Sequence, residues 1–148
     1  NNCLTILNPA PARKIQKEDF SLLDFFTPDE TEVEFYLNKK IETKEDIQNA
    51  AKEFLSMGVK NIIITLGAKG VYFENKEEKH FIDALSLKDQ VIDTTGAGDA
   101  FNGALAVALA KDSNYKDAII FANKVGGIST TRLGAASSMP LLKEVAEY

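Results

Sequence analysis

The chain has 148 residues, of which 45% are hydrophobic, and a formal net charge of −5 with acids and bases interleaved. That is the length of about one domain with a buried core, and its charge excludes a surface that tracks a nucleic-acid backbone. No apolar run reaches the ~20 residues of a membrane-spanning helix. Cys3 and His80 are the only cysteine and the only histidine, which excludes disulfides and Cys/His metal clusters.

The first residues, NNCLTILNPAP, contain neither a basic stretch nor a Met, so no signal peptide is expected and a cytoplasmic setting is. Leu4 to Leu7 reads as a strand stopped by Asn8-Pro9-Ala10-Pro11, with Cys3 a buried apolar residue beside it. Leu22 to Phe26 is a second apolar run, closed by Thr27-Pro28, and Asp29 to Leu37 is helix-like with an acidic first turn. Thr43 is a plausible cap for a helix from Lys44 to Met57, with Ile47, Ala50, Ala51, Phe54 and Leu55 at helical spacing and Gly58 ending it. Asn61 to Leu66, rich in β-branched residues, is the clearest buried strand. Gly67 to Gly70 turns the chain into Val71-Tyr72-Phe73. A polar loop from Glu74 to Lys79 then leads to His80-Phe81-Ile82, where His80 is an exposed strand residue. A short strand at Val91-Ile92, helices over Ala100–Ala110 and Tyr115–Ser129, and a short C-terminal helix after Met139-Pro140 complete the reading. Strands alternating with helices predict an α/β fold with a mostly parallel sheet flanked by helices.

The stretch DTTGAGDAFNGAL, residues 93–105, carries the chemistry. It leaves the predicted strand, turns through Gly96-Ala97-Gly98 and enters a helix at Asp99. Small residues let backbone N–H groups crowd together, and the helix start adds partial positive charge, so the turn suits a phosphoryl group. Taken alone, Asp99 would be read as a helix cap. The flanking glycines favour phosphate handling, because a cap does not require them. There is no GxxxxGK[ST] P-loop, so a nucleotide would not be held in that manner.

DTTGAGDAFNGAL resembles the signature of the ribokinase family of carbohydrate kinases, and LNPAPAR (7–13), TPDETE (27–32), TLGAKGVYF (65–73), Asn123 and RLGAASSMP (132–140) recur in the family's order. The resemblance covers the C-terminal half of such an enzyme, with no counterpart of its sugar-binding and lid half. It implies a ribokinase-like fold and an ATP-dependent kinase that converts ribose to ribose 5-phosphate. Fructose, a deoxysugar or a nucleoside are alternative substrates, and a non-catalytic nucleotide-binding fragment is an alternative role. Family members often pair through the lid, so the resemblance implies that a homodimer of the parent would form there, and this stretch leaves the oligomeric state undecided.

Carried over by the resemblance, Asp99 is the general base and contacts the sugar hydroxyl. The N–H groups of Gly96, Ala97, Gly98 and Asp99 form an anion hole for the γ-phosphate. Thr65, Leu66, Gly67, Ala68, Lys69 and Gly70 contact ATP, with Asn123 near the ribose or adenine. The family's usual Asn-x-x-Glu is here Asp29-x-x-Glu32. Glu32 is expected to help fix Mg²⁺ through water, and Asp29 to add a negative charge beside the triphosphate. Asp93, Thr95, Ser129, Arg132, Gly134 and Ser138 match the positions that enclose a monovalent cation, K⁺, with Arg132 offering its carbonyl. The resemblance therefore implies small-molecule partners, sugar and ATP, with no membrane.

Overall fold

Isoleucines 62–64, expected in the buried strand, lie in β3 (Asn61–Thr65) and are fully buried, as suits β-branched side chains on a pleated surface. The computed structural model describes residues 3–148. Around β3 the sheet runs in chain order from β1 (Ile6–Leu7) and β2 (Phe25–Phe26) to β4 (Val71–Glu74) and β5 (Lys79–Ile82). β1, β2 and β3 are parallel, whereas β4 and β5 join antiparallel. The connections explain the change. Residues 27–60 give room for the crossover a parallel pair needs, while the turn after β3 is too short for one.

Two helices fill that crossover, α1 (Glu30–Leu37) and α2 (Lys44–Ser56). Each starts with a reciprocal capping box, Asp29 with Glu32 and Thr43 with Asp46. Such a cap stabilises a helix by about 1 kcal/mol. The apolar stripe of α2, Ile47, Ala50, Ala51 and Phe54, joins Phe20, Phe26, Val33, Ile62, Ile64 and Tyr72 in one core. Phe54 meets Phe26 edge-on with ring centroids 5.1 Å apart. Truncating Phe54 to Ala would remove roughly 3–5 kcal/mol, the usual loss for a buried phenyl ring. At the strand end, the buried Tyr72 hydroxyl donates to Glu74 at 2.6 Å, and burial pushes the phenol well above its usual pKa.

This first compact unit ends at Ile82, and a second spans Asp83–Tyr148. The second contains α3 (Ala97–Leu109), α4 (Tyr115–Ser129) and the short α5 (Leu142–Val145). Helices α3 and α4 approach closely at Gly126, where a Cβ would lie 3.1 Å from the Ala97 carbonyl oxygen. Asn114 caps α4 by accepting the Asp117 N–H at 2.9 Å.

Four expectations are corrected. The first strand is only Ile6–Leu7, because Thr5 is drawn to Asp24 and Leu22 by its N–H and hydroxyl, both at 2.8 Å. Val91-Ile92 forms no strand: the N–H groups of Ile92 and Asp93 both donate to the Thr130 carbonyl beyond α4, and both apolar side chains are exposed. Cys3 is exposed rather than buried. His80 is part-buried, its ring 6.4 Å from that of Phe73 and its Nε2 2.7 Å from Glu78. Among the described residues no helix is long and apolar enough to cross a membrane.

Candidate functional site

In the second unit the glycine turn is built outward from Asp93. Its Oδ1 accepts the Thr95 N–H and its Oδ2 accepts the Gly134 N–H, both at 2.9 Å. Hydrogen bonds from Thr95, then from Gly134, hold this carboxyl below the usual carboxylate range. Gly96 caps α3 with φ +78°, and a Cβ there would lie 3.0 Å from the Ala135 Cβ. Conformation and space both demand glycine. The loop after α4 thus forms the floor of the turn.

Asp99 is the third residue of α3, not its cap, so the capping role considered for it does not hold. Its side chain is exposed and has no hydrogen bond or ion pair with any described residue. Of the predicted anion-hole donors, Ala97 N–H turns back to the Thr94 carbonyl at 3.2 Å. The N–H groups of Gly96, Gly98 and Asp99 have no partner among the described residues. First-turn amides of a helix have no intrahelical acceptor and point along its axis, where the dipole favours an anion. Gly98 is informative in a different way from Gly96. Its backbone is helical, and a Cβ would meet nothing within 4 Å. Neither strain nor packing asks for glycine there, so the open space beside these amides is its physical consequence.

The six positions matched to a cation loop divide. Asp93, Thr95 and Gly134 are hydrogen-bonded together. Ser129 and Ser138 are fully buried, and their hydroxyls donate to the carbonyls of Gly126 and Ala135 at 2.8 and 2.7 Å. The Arg132 guanidinium is committed to Glu144 of α5, at 2.6 Å. Among the described residues no group of three His, Cys, Asp or Glu side chains could hold a metal ion. Asn123, on α4, donates through Nδ2 to the Asp83 carbonyl at 2.8 Å.

In the first unit, the predicted Mg²⁺ and ATP positions meet where β3 ends. Asp29 bridges to Thr65, whose N–H donates to the Pro28 carbonyl at 3.0 Å. Glu32 is only 7% exposed; its Oε2 accepts the Asp29 N–H at 2.8 Å, and Asp29 Oδ1 accepts the Glu32 N–H at 2.7 Å. Burial, and secondarily the charge of Asp29, push the Glu32 carboxyl above its usual value. Gly67, Ala68 and Lys69 form an exposed single turn, closed by Leu66 N–H to the Gly70 carbonyl at 2.8 Å. Leu66 and Gly70, on either side of this turn, are buried. Lys69 also pairs with Glu30 of α1 at 3.1 Å. Sequence reasoning missed Glu30, as it missed the Thr94, Thr130 and Ala135 contacts that shape the glycine turn. The three latter act through backbone or methyl groups, for which residue type gives no signal.

The pfkB family carbohydrate kinase model matches residues 1–142. A ribokinase of Staphylococcus aureus is 43% identical over 142 residues, 95% of this chain and 46% of that protein. The crystal structure of a Thermotoga maritima ribokinase, also 43% identical, superposes with a TM-score of 0.89 over 99% of this chain and 49% of its own. An Arabidopsis thaliana ribokinase complexed with ribose and ATP is 30% identical, with a TM-score of 0.89 over 97% of this chain and 46% of its own. The chain therefore spans about half the length of the relatives it matches. A match that runs from the first strand past the glycine turn into the start of the last helix shows that the chain belongs to the pfkB family of carbohydrate kinases.

Proposed function

We propose that this chain is the nucleotide-binding and catalytic half of an ATP-dependent kinase that phosphorylates the primary hydroxyl of ribose. The observation that carries this reading is the start of α3: an exposed, unpartnered Asp99 carboxylate beside the free N–H groups of Gly96, Gly98 and Asp99. Asp99 accepts the proton of the sugar hydroxyl as its oxygen bonds to the γ-phosphorus and ADP departs with the bridging oxygen. The three amides stabilise charge on the transferring phosphoryl oxygens without reorganising. Ala97 contributes by holding the turn through Thr94 rather than by donating to the phosphate.

Backbone groups of Thr65–Gly70 in the first unit and Asn123 in the second are assigned to the nucleotide. The Glu32 carboxylate, desolvated and beside a second acid, fits a divalent cation, which would relieve its burial. Mg²⁺ held through Glu32 would neutralise ATP phosphate charge. For K⁺, the donor set is oxygen only: the carboxylate of Asp93, the hydroxyls of Thr95, Ser129 and Ser138, and the carbonyls of Arg132 and Gly134. The buried hydroxyls of Ser129 and Ser138 have their protons already directed to carbonyls, leaving lone pairs for a cation.

The test is a chimera in which this chain replaces the matching half of the Thermotoga maritima ribokinase. ADP formation that requires ribose, and exceeds the rate with fructose, deoxyribose or adenosine, supports the reading. No sugar-dependent ADP formation by a folded chimera overturns it. Titration of the 148-residue chain with ATP by calorimetry checks the nucleotide assignment separately.

A further inference from the structure

Asp29 follows β2 at the end of the sheet where β3 stops, because its backbone bridges to Thr65 and the Thr65 N–H donates to the Pro28 carbonyl at 3.0 Å. The turn assigned to the nucleotide, Thr65–Gly70, is thereby tied to the start of α1. Three acids stand at that start, Asp29, Glu30 and Glu32, and the turn carries one base, Lys69. Lys69 pairs with Glu30 at 3.1 Å. Neither Asp29 nor Glu32 has an ion pair with any described residue. Glu32 is buried and held by the Asp29 N–H at 2.8 Å, so its carboxyl stays at this strand end.

The two carboxylate oxygens of Asp29 have different duties. Oδ1 accepts the Glu32 N–H at 2.7 Å and so caps α1. Oδ2 accepts no hydrogen bond from any described residue, and the side chain is exposed. Asparagine would cap through the same oxygen, since Asn and Asp cap about equally well. It would differ only in carrying an amide nitrogen in place of Oδ2. Helix capping therefore does not choose between the two residues. The free oxygen matters to what approaches from solvent, because a carboxylate only accepts, repels a bare triphosphate and attracts a cation. At position 29 this chain departs from the family's usual asparagine, so the charge is its own feature.

We infer that Asp29 is a specificity-determining residue, whose uncompensated carboxylate makes the nucleotide turn take ATP as its divalent-metal complex and disfavour metal-free ATP. Metal-free ATP would bring its full triphosphate charge against Asp29 and Glu32, with Lys69 already engaged. In the Mg²⁺ complex much of that charge is cancelled, and the two carboxylates meet a partner of opposite sign. The inference rests on the assignment of Thr65–Gly70 to the nucleotide and deepens it by naming the form that binds.

Calorimetric titration of the 148-residue chain with ATP, once with excess Mg²⁺ and once with EDTA, tests it. The parent should bind the Mg²⁺ complex more tightly than free ATP. Asp29→Asn should narrow that ratio at least about tenfold, mainly by tightening free ATP, as expected on removing one like charge at a protein surface. Asp29→Ser, another uncharged cap, should narrow it as well. Glu34→Gln, at an α1 acid already paired with Lys40, should leave it unchanged. Parent and Asn variant should melt alike, so that affinity and not folding is read. Equal ratios in parent and Asp29→Asn would overturn the inference and leave the nucleotide assignment standing. A ratio narrowed by Asn but not by Ser would also overturn it, since amide donation and not charge would then be the cause. No ATP binding in either buffer by the folded chain would overturn the inference together with the nucleotide assignment.

Discussion

Asp93 and Gly134, 41 residues apart in the chain, are joined by a 2.9 Å hydrogen bond from the glycine N–H to the carboxylate. With the Thr95 N–H on the other oxygen, one side chain locks the entry to α3 onto the loop that follows α4. The presentation of the free amides of Gly98 and Asp99 depends on that corner.

Asp93→Asn should lower the melting temperature at pH 7, since an amide offers one acceptor oxygen where two are used. The sign of the pH dependence follows from the depressed pKa. Asp93 stabilises the fold above its ordinary value of 3.8, and that contribution disappears as pH falls through the lower folded value. From pH 7 to pH 3, the gap between the melting temperatures of parent and variant should therefore hold down to the ordinary value of 3.8 and begin to narrow below it. A constant gap across that range would refute the linkage. In the chimera, K⁺ should stimulate the parent and stimulate Asp93→Asn much less.

Asp99→Asn should lower kcat of the chimera by roughly two to four orders of magnitude, the usual range for loss of a general base. Because Gly96 and not Asp99 caps α3, even Asp99→Ala should leave the melting temperature almost unchanged, within the ±0.5 kcal/mol or so typical of exposed positions. Measuring kcat and melting temperature on the same proteins checks both halves of this statement. An Asn variant with near-parental kcat would remove the assigned base.

Gly96→Val and Gly98→Val should separate fold from function on neighbouring residues. At Gly96 the side chain needs a left-handed backbone and meets Ala135, so stability and nucleotide affinity should both fall. At Gly98 there is room and no strain, so stability should hold while the side chain crowds the amides. The expected readout is an unchanged melting temperature with ATP affinity reduced at least tenfold by calorimetry. Undiminished ATP affinity in a folded Gly98→Val chain would show that the phosphate binds elsewhere.

Glu32→Gln should leave the chain as stable as the parent at pH 7 or more so. Burial raises the Glu32 pKa, so the folded state disfavours the charged form, and stability is lost as pH rises from the ordinary value of 4.5 through the raised one. Glutamine keeps an oxygen to accept the Asp29 N–H and carries no charge. The gain in ATP affinity on adding Mg²⁺ should shrink in the variant. An equal Mg²⁺ effect in both proteins would displace Glu32 from the cation's surroundings.

Much of this protein is determined locally. The β-branched run at 62–64, the Thr43 cap before an apolar stripe, and the short turn after β3 each specify their element by short-range physics, and each stands where expected. The glycine turn was likewise legible, because glycines before a helix start leave amides with no internal acceptor. Tertiary structure decided which residues play which part. Asp99 gave up the capping role because a left-handed Gly96 over Ala135 already starts the helix, three residues earlier than its acid suggests. Val91 and Ile92 have the residue types of a strand, but their backbone is held by Thr130, and β-propensity cannot act without a neighbouring strand to pair. Glu32 reads as a routine first-turn acid until folding buries it against Asp29 and raises its pKa. Such contacts join positions far apart in the chain or depend on burial, and neither distance nor solvent exclusion is written in any short stretch of residues.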